Sequence, residues 1–321
     1  MRRSLLLLLK VAVSALLLYL SLRAVNLPAL AERLSRLDPG WIAASFLLMT
    51  VQVVILSFRW RTIVEKCGAH LPFAAALRLT FIASFFNQVL PSTVGGDAAR
   101  VWMLGRRGGG WANAAYSVLI DRIAGIFALS LIVIACLPWT LNFVHDPIAR
   151  TFLMLIGLGA VAGAIVFMAI GMLKWPLLQR LAVTRHLVEV SRTARRLCAA
   201  PRSLAAVAAT SFTIHLLTVS ATWCIAQSVS ASVSFALLLF LIPPVLLVAT
   251  IPLSIAGWGV REGSMIVAFS YAGLAQDDGL IVSVLFGLTM FAVGAIGGIA
   301  WITDGLRHNT PMSPPTPEPG A

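Results

Sequence analysis

Long apolar runs recur along the chain, and each is close to the length that a helix needs to cross a lipid bilayer, about 20 residues. Hydrocarbon offers no hydrogen-bond partners to the backbone, so such runs are expected to be α-helical. We therefore predict an all-α integral membrane protein with about eight transmembrane helices and one or two re-entrant or broken helices. The predicted spans are residues 4–22, 41–58, 116–137, 151–173, 204–225, 237–251, 264–275 and 280–302.

The composition excludes a sizeable soluble domain. Charged residues make up 11% of the 321 residues and hydrophobic residues 59%, whereas charged residues make up about 25% of soluble domains. The mean hydropathy of +0.93 agrees with this class. We expect a polytopic membrane domain over residues 1–305 and a disordered, Pro-rich cytoplasmic tail over residues 306–321.

The net charge of +12 indicates membrane orientation and not nucleic-acid binding, because the basic residues lie between the apolar runs. The loop at residues 174–202 has a single acid, Glu189, and cytoplasmic loops typically carry such an excess of basic residues. We therefore expect this loop and both termini on the cytoplasmic side of the plasma membrane, although the basic residues of the loop at 23–40 disagree. The basic residues of the 174–202 loop are Lys174, Arg180, Arg185, Arg192, Arg195, Arg196 and Arg202.

Residues 73–90 form an apolar run whose placement decides the orientation of everything after it. Counting the run as a full span would put the basic 174–202 loop outside the cell. We therefore predict a re-entrant or interfacial helix that ends at Pro91, an arrangement seen where transporters break helices near a site. A surface amphipathic helix is the alternative.

Two polar segments, at residues 87–100 and 251–263, interrupt the apolar runs. Each follows an apolar run, contains a proline and neighbouring glycines, and continues into an acidic and a basic residue. Broken helices at matching positions in two halves of a chain are typical of transporter binding sites. The segments therefore predict an internal repeat, and the four spans counted between them favour a parallel one. The residues concerned are Asn87, Pro91, Gly95, Gly96, Asp97 and Arg100 in the first segment and Pro252, Gly257, Gly259, Arg261, Glu262 and Gly263 in the second.

The residue types in both segments are suited to binding a phosphate-bearing lipid headgroup. Glycine lets the backbone approach a ligand closely, and the start of a helix offers N–H groups to an anion. Arg100 and Arg261 can each bind phosphate through two parallel hydrogen bonds. The alternative is that each arginine is an orientation signal and that Asn87 is a helix cap. Asp97 and Glu262 favour pairing inside a cavity.

A third group, Asp121, Arg122 and Gly125, lies at the start of the span at 116–137. Ionisable residues inside a membrane are costly and commonly mark a functional site. We expect Arg122 to contact Asp97 or Glu262. A pair of charges that still reaches water at the membrane face is the alternative, and His215 is interpreted as a packed core histidine.

These residues resemble the lysylphosphatidylglycerol synthase transmembrane-region family, the flippase-like part of multiple peptide resistance factor proteins. The resemblance extends from the first span to about Gly305 and implies a plasma-membrane protein that moves or handles lipid. Larger members carry an aminoacyl-transferase domain, for which this chain has no residues left, so lipid lysylation is not expected. The matching residues are Phe86-Asn87-Gln88-Val89-Leu90-Pro91, Gly95-Gly96-Asp97, Arg100, Asp121-Arg122, Gly125, Pro252, Gly257, Gly259 and Arg261-Glu262-Gly263.

Three functions agree with the sequence. The first is a lipid translocase for an anionic, phosphate-bearing or glycosylated lipid. The second is a membrane enzyme with Asp97 or Glu262 as acid or base, which the absence of nucleotide-binding and nucleophile motifs disfavours. The third is a non-catalytic partner of a lipid-synthesis enzyme, including hopanoid or glycolipid synthesis. No cofactor or metal is expected, because Cys67, Cys136, Cys198 and Cys224 lack ligand spacing.

Overall fold

The computed structural model describes residues 36–90, 94–144, 146–172, 182–250 and 258–307. The predicted all-α class is confirmed, since the described residues form helices and short connections without a strand. The predicted span at 4–22, the residues after 307, Pro91, Pro252 and Gly257 lie outside the described residues. The helices are α1 (Pro39–Lys66), α2 (Phe73–Val89), α3 (Gly95–Leu104), α4 (Trp111–Phe143), α5 (Pro147–Ile170), α6 (Ala182–Cys198), α7 (Pro201–Ser228), α8 (Phe235–Ala249), α9 (Val260–Tyr271) and α10 (Gln276–Arg307).

Five helices of the described chain, α1, α4, α5, α7 and α10, are long and apolar enough to cross a membrane. The first turns of α1 and α5 show why these two helices begin at Pro39 and Pro147. The Asp38 carboxylate accepts a hydrogen bond from the N–H of Gly40 at 2.8 Å, and that of Asp146 accepts one from Ala149 at 2.9 Å. Each aspartate is followed by a proline in the first helical turn, where the missing N–H has no cost.

Helices α2 and α3 form a hairpin that enters and leaves at one face of the protein. They have 17 and 10 residues, fewer than a crossing needs. A Cβ atom on Gly96 of α3 would lie 2.1 Å from the carbonyl oxygen of Ala83 on α2, so the two arms are in close contact. After α3 the chain returns to the end of α1, where Gly68 neighbours Asn113. Residues 73–90 thus form one arm of a hairpin, and their re-entrant or interfacial placement in the membrane stays a prediction.

Helices α8 and α9 form a second hairpin, which opens toward the opposite face. The residues before α8, Ala231 and Val233, pack in the same apolar cluster as Ala272 and Leu274, which follow α9. The two arms have 15 and 12 residues. The predicted spans at 237–251 and 264–275 are therefore the two arms of one hairpin. Replacing two crossings by a hairpin leaves the orientation of the flanking helices unchanged.

The two hairpins belong to two similar four-helix units. Helices α1 to α4 have 28, 17, 10 and 33 residues, and α7 to α10 have 28, 15, 12 and 32. The first helices of the two units, α1 and α7, are antiparallel. The N–H of Asp38 at the start of α1 donates to the carbonyl of Ser228 at the end of α7 at 3.0 Å. Towards the other end, Arg59 donates to Ser211 at 3.0 Å.

The repeat is therefore inverted, and the expectation of a parallel repeat is wrong. That expectation counted residues 237–251 as a crossing. In the structure this segment stops as one arm of a hairpin, which leaves an odd number of crossings, α4, α5 and α7, between the two polar segments. An odd number of crossings places the two hairpins on opposite faces.

The face where α1 ends and α4 and α7 begin is called the basic face. Helix α6 lies across it and is docked by Ser191, whose hydroxyl accepts from the N–H of Gly171 at 2.8 Å and donates to the carbonyl of Phe167 at 2.6 Å. The opposite face carries the two capping aspartates. The basic face includes Lys66, Arg106, Arg107, Arg192, Arg195, Arg196 and Arg202.

A close crossing of α2 and α10, which belong to different units, depends on glycine. A Cβ atom on Gly297 would lie 1.8 Å from the carbonyl oxygen of Phe81. We expect Gly297→Ala to lower the free energy of unfolding by about 1–3 kcal/mol, as overpacking does in other cores. The measurement is thermal unfolding of the purified protein in detergent.

Gly159→Ala is the matched control, because Gly159 lies within α5 and, apart from its own stretch of helix backbone, no described atom lies within 4 Å of the added carbon. This variant should unfold at or slightly above the wild-type temperature, since alanine favours helix. Equal unfolding temperatures for Gly297→Ala and the wild type would contradict the close crossing of the two units.

Candidate functional site

The two hairpins converge on one cavity of about 470 Å³. Its wall contains the facing ends of both hairpins. We call Asn87, Gln88, Val94 and Asp97 the first tip, and Ala249, Thr250 and Arg261 the second tip. The rest of the wall is Gln52 on α1, Arg122, Ile126 and Leu129 on α4, Ile214, His215 and Thr218 on α7, Leu246 on α8, and Phe286 and Met290 on α10.

Asn87 connects the two arms of the first hairpin. Its side-chain oxygen accepts a hydrogen bond from the N–H of Gly96 at 2.9 Å. Asn87 therefore caps α3 across the tip. Gly95 is also in close contact with α2, because a Cβ atom there would lie 2.6 Å from Leu90. Small residues at this tip let the two arms meet, so that one side chain satisfies backbone that lies outside a helix.

A chain of alternating charges extends from the first hairpin into α1 and α4. Arg122 donates to one carboxylate oxygen of Asp97 at 2.5 Å, and Arg100 to the other at 2.5 Å. Arg100 also donates to Asp121 at 3.0 Å, and Arg59 donates to the second oxygen of Asp121 at 2.8 Å. The expected contact between Arg122 and Asp97 is confirmed. Three guanidinium groups thus share two carboxylates.

The inner part of this chain is withdrawn from solvent. Arg59, Asp97, Arg100 and Asp121 are buried, and Asp121 is 1% exposed. Burying a charge is costly unless it is paired and hydrogen-bonded. The guanidinium of Arg100 also lies over the ring of Trp60, at 5.1 Å from its centre. These contacts make the interior of the chain a structural element and leave little access for a ligand.

Arg122 occupies the outer end of the chain and borders the cavity. Its side chain is 42% exposed, against 5% for that of Arg100. A partly exposed guanidinium beside a polar cavity can contact a ligand without leaving its carboxylate. Gly125, one turn further along α4, accommodates Arg59, because a Cβ atom there would lie 3.4 Å from the Arg59 guanidinium. The carbonyl of Gly125 accepts a hydrogen bond from His215 at 3.0 Å.

The second hairpin has its own ion pair. Arg261 donates to one oxygen of Glu262 at 2.7 Å, and Ser283 on α10 donates to the same oxygen at 3.0 Å. The other oxygen of Glu262 accepts from the N–H of Gly259 at 2.5 Å. Gly259 has a φ of +87°, in the left-handed region that favours glycine. Glu262 therefore fixes the turn that starts α9.

Arg261 is held on its remaining sides by aromatic rings. Its guanidinium lies 5.0 Å from the centre of Trp258 and 5.4 Å from that of Phe286. Gly287 makes room for it, since a Cβ atom there would lie 2.3 Å from Arg261. Arg261 is 6% exposed, so most of its guanidinium faces protein groups.

Asp97 and Glu262 occupy corresponding places in the two units. Each lies in the first turn of the third helix of its unit, at the tip of a hairpin. Each accepts hydrogen bonds from at least one arginine. The two units therefore use the same means, a carboxylate at the start of a short helix, to hold their tips against neighbouring helices.

The predicted site residues divide into four groups. The cavity wall contains Asn87, Asp97, Arg122 and Arg261, while Gly95, Gly96, Arg100, Asp121, Gly125, Gly259 and Glu262 support it. Gly263 lies elsewhere, in the wall of an apolar cavity with Ser264. Pro91, Pro252 and Gly257 are outside the described residues. Whether these residues bind substrate stays a prediction.

Sequence reasoning missed Arg59, Ser211, Ser283 and Gly287. Arg59 follows residue 58, the predicted end of the second span, and was therefore not counted as part of a helix. The apolar residues Trp60, Ile63 and Val64 continue the helical pattern to Lys66 and are 0% exposed, and this continuation was the available signal. Ser211, Ser283 and Gly287 have no local signal, because only their tertiary contacts distinguish them.

These features define a multi-pass helical membrane protein in which two short helical hairpins from opposite faces meet at a cavity lined by polar residues. Comparison with family models gave a match to the family described as lysylphosphatidylglycerol synthase TM region, over residues 7–298. The chain belongs to this family. The comparisons with curated proteins and with solved structures found no match.

The charge chain predicts a large effect of removing one carboxylate. Asp121→Asn leaves Arg59 and Arg100 buried beside a neutral amide, and breaking a buried ion pair costs about 3–5 kcal/mol. We expect a marked fall in the unfolding temperature and in the yield of monodisperse protein.

Glu65→Gln is the matched control, since Glu65 pairs with Arg61 at 2.9 Å on an exposed part of α1. Removing an exposed pair costs at most about 1 kcal/mol. Similar unfolding temperatures for the two variants would show that the buried chain does not stabilise the fold.

Proposed function

We propose that the protein is a plasma-membrane lipid translocase and that its central cavity receives an anionic, phosphate-bearing or glycosylated lipid headgroup. The observation that carries the proposal is the meeting of two oppositely directed hairpins at one polar cavity. Hairpins of this kind allow backbone outside helices to line a water-accessible site between the faces of a membrane. A polar headgroup needs such a site to cross the hydrocarbon layer.

Arg122 is assigned the direct contact with the headgroup. The planar guanidinium matches the geometry of a phosphate oxygen pair, and Arg122 exposes 42% of its side chain. Arg100 and Arg261 also bind carboxylates of the protein, but unlike Arg122 they are buried. Their role in this proposal is to hold the two tips in position. The buried row of charges has three guanidinium groups and two carboxylates, so it carries one excess positive charge, which favours a negatively charged headgroup.

The inverted repeat supports a mechanism of alternating access. Two units with opposite orientation can exchange their conformations, so that a state open to one face becomes a state open to the other. The cavity lies between the units, bordered by one tip from each. Rocking of the units around the cavity would expose a bound headgroup to each leaflet in turn.

The proposed orientation follows from charge. Arginines and lysines concentrate in cytoplasmic loops, so the basic face is placed in the cytoplasm, and both termini with it. The first hairpin then enters from the cytoplasm and the second from outside. A substrate lipid is the proposed partner, and a lipid-synthesis enzyme is the proposed source of that lipid.

The test is lipid translocation by purified protein in liposomes of phosphatidylethanolamine and phosphatidylglycerol that contain a fluorescent phosphatidylglycerol. A membrane-impermeant reductant that destroys only outer-leaflet fluorescence reports movement between leaflets. Movement faster than in empty liposomes supports the translocase. Chemical conversion of the lipid would favour an enzyme. If the lipid is neither moved nor converted, a non-catalytic partner is favoured.

Arg122→Lys tests the assigned headgroup contact in the same assay. Lysine keeps the charge but loses the planar pair of donors. Hydrogen bonds to charged groups contribute about 1.5–3 kcal/mol, so the translocation rate should fall about tenfold to hundredfold. Arg192→Lys on the exposed part of α6 is the matched control and should keep the wild-type rate. An unchanged rate in Arg122→Lys, at equal unfolding temperature, would exclude the proposed phosphate contact.

A further inference from the structure

A second cavity, about 390 Å³ in volume, lies between α4, α5, α6 and α7. Its wall is apolar and includes Ile123, Phe127, Phe167 and Phe212. Ser211 supplies the hydroxyl in this wall, and it already donates to the carbonyl of Val207 at 2.7 Å and accepts from Arg59 at 3.0 Å. A ligand of this cavity must therefore be a hydrocarbon, since apolar cavities do not retain water.

The mouth of this cavity faces the lipid side of the protein. The wall residues Ile165 on α5 and Phe212 and Leu204 on α7 are 62%, 41% and 41% exposed. Helices α4, α5 and α7 are all long and apolar enough to cross a membrane. The mouth thus lies between two spanning helices, where the surrounding medium is acyl chain.

The depth of the cavity places it in the half of the membrane next to the basic face. Leu204 lies in the first turn of α7, and Phe167 lies in the last turn of α5. Both of these helix ends are at the basic face. A chain that enters here belongs to a lipid of the leaflet on that side.

Helices α4 and α7 separate the apolar cavity from the polar cavity, because both helices contribute to both walls. Arg122 borders the polar cavity, and the next residue, Ile123, borders the apolar one. On α7, Phe212 borders the apolar cavity and His215 borders the polar one. The hydrogen bond from His215 to the carbonyl of Gly125 closes the wall between them. A lipid headgroup at Arg122 would have its chains within reach of the apolar cavity.

We propose that this cavity is an acyl-chain binding site, which holds one chain of the lipid whose headgroup contacts Arg122. The headgroup part of this statement rests on the proposed translocase function. The chain-binding part rests on three observations: the wall is apolar, the Ser211 hydroxyl in it is already hydrogen-bonded within the protein, and the mouth lies between spanning helices. The site takes a saturated or unsaturated hydrocarbon chain, and the described residues of its wall supply no charged or amide side chain for recognising a headgroup.

The experiment uses full-length protein in vesicles that contain phosphatidylglycerol with a photoactivatable diazirine in one acyl chain. After illumination, mass spectrometry locates the adducts. We expect adducts on the peptides that contain Phe127 and Phe212, and their loss in Ala208→Phe, because Ala208 borders the cavity and a phenyl ring there would fill it. Ala209→Phe is the matched control, since Ala209 is the next residue on α7 and is exposed; its adducts should equal those of the wild type.

Adducts that persist in Ala208→Phe would overturn the proposal, as would adducts confined to the exposed surface of α5. If Ala208→Phe does not fold, Ala164→Phe fills the same cavity from α5 and must give the same loss. The outcome separates the two proposals. Acyl-chain adducts without lipid movement between leaflets would support the acyl-chain site and reject the translocase. Lipid movement without these adducts would support the translocase and reject the acyl-chain site.

Discussion

The buried chain of charges from Arg59 to Arg122 is the interaction on which the rest of the structure depends. A short helix such as α3, with 10 residues, is not stable alone. Its first and second turns are attached to α4 through Asp97 and Arg100, and Asp121 attaches α4 to α1 in turn. These ion pairs, together with the Asn87 cap, therefore hold the tip of the first hairpin against α4 and α1.

The two units share a backbone plan but differ in chemistry. In the first unit, Asp97 is shared by arginines from two helices, and the chain of charges ends at the exposed side chain of Arg122. In the second unit, Glu262 is closed on its own helix start, and its arginine lies between aromatic rings. Among the described residues, the polar cavity therefore receives its most exposed cation from the first unit, while the second unit supplies the buried Arg261.

The sequence predicted the parts of this fold that depend on local chemistry. The apolar runs and the Gly-rich break before Asp97 are readable from neighbouring residues. Arg122 was expected to contact Asp97 or Glu262, and the structure shows the contact with Asp97. The inversion of the repeat was not predicted, because residues 237–251 have the hydropathy of a crossing although they stop after 15 residues as α8. The roles of Gly287 and Gly297 could not be predicted either, because they depend on contacts with residues distant in the sequence.

The most direct test of the account is a cross-link between the two tips. Val94→Cys and Thr250→Cys place one thiol on each tip in the wall of the same cavity, and replacing the exposed Cys198 by serine removes the competing surface thiol. In native membranes, a short bifunctional thiol reagent should join the two cysteines within one polypeptide. After protease cleavage of the polypeptide between them, the two fragments should then stay linked. Single labelling of both cysteines without any link would show that the hairpins do not share a cavity, and would contradict the account.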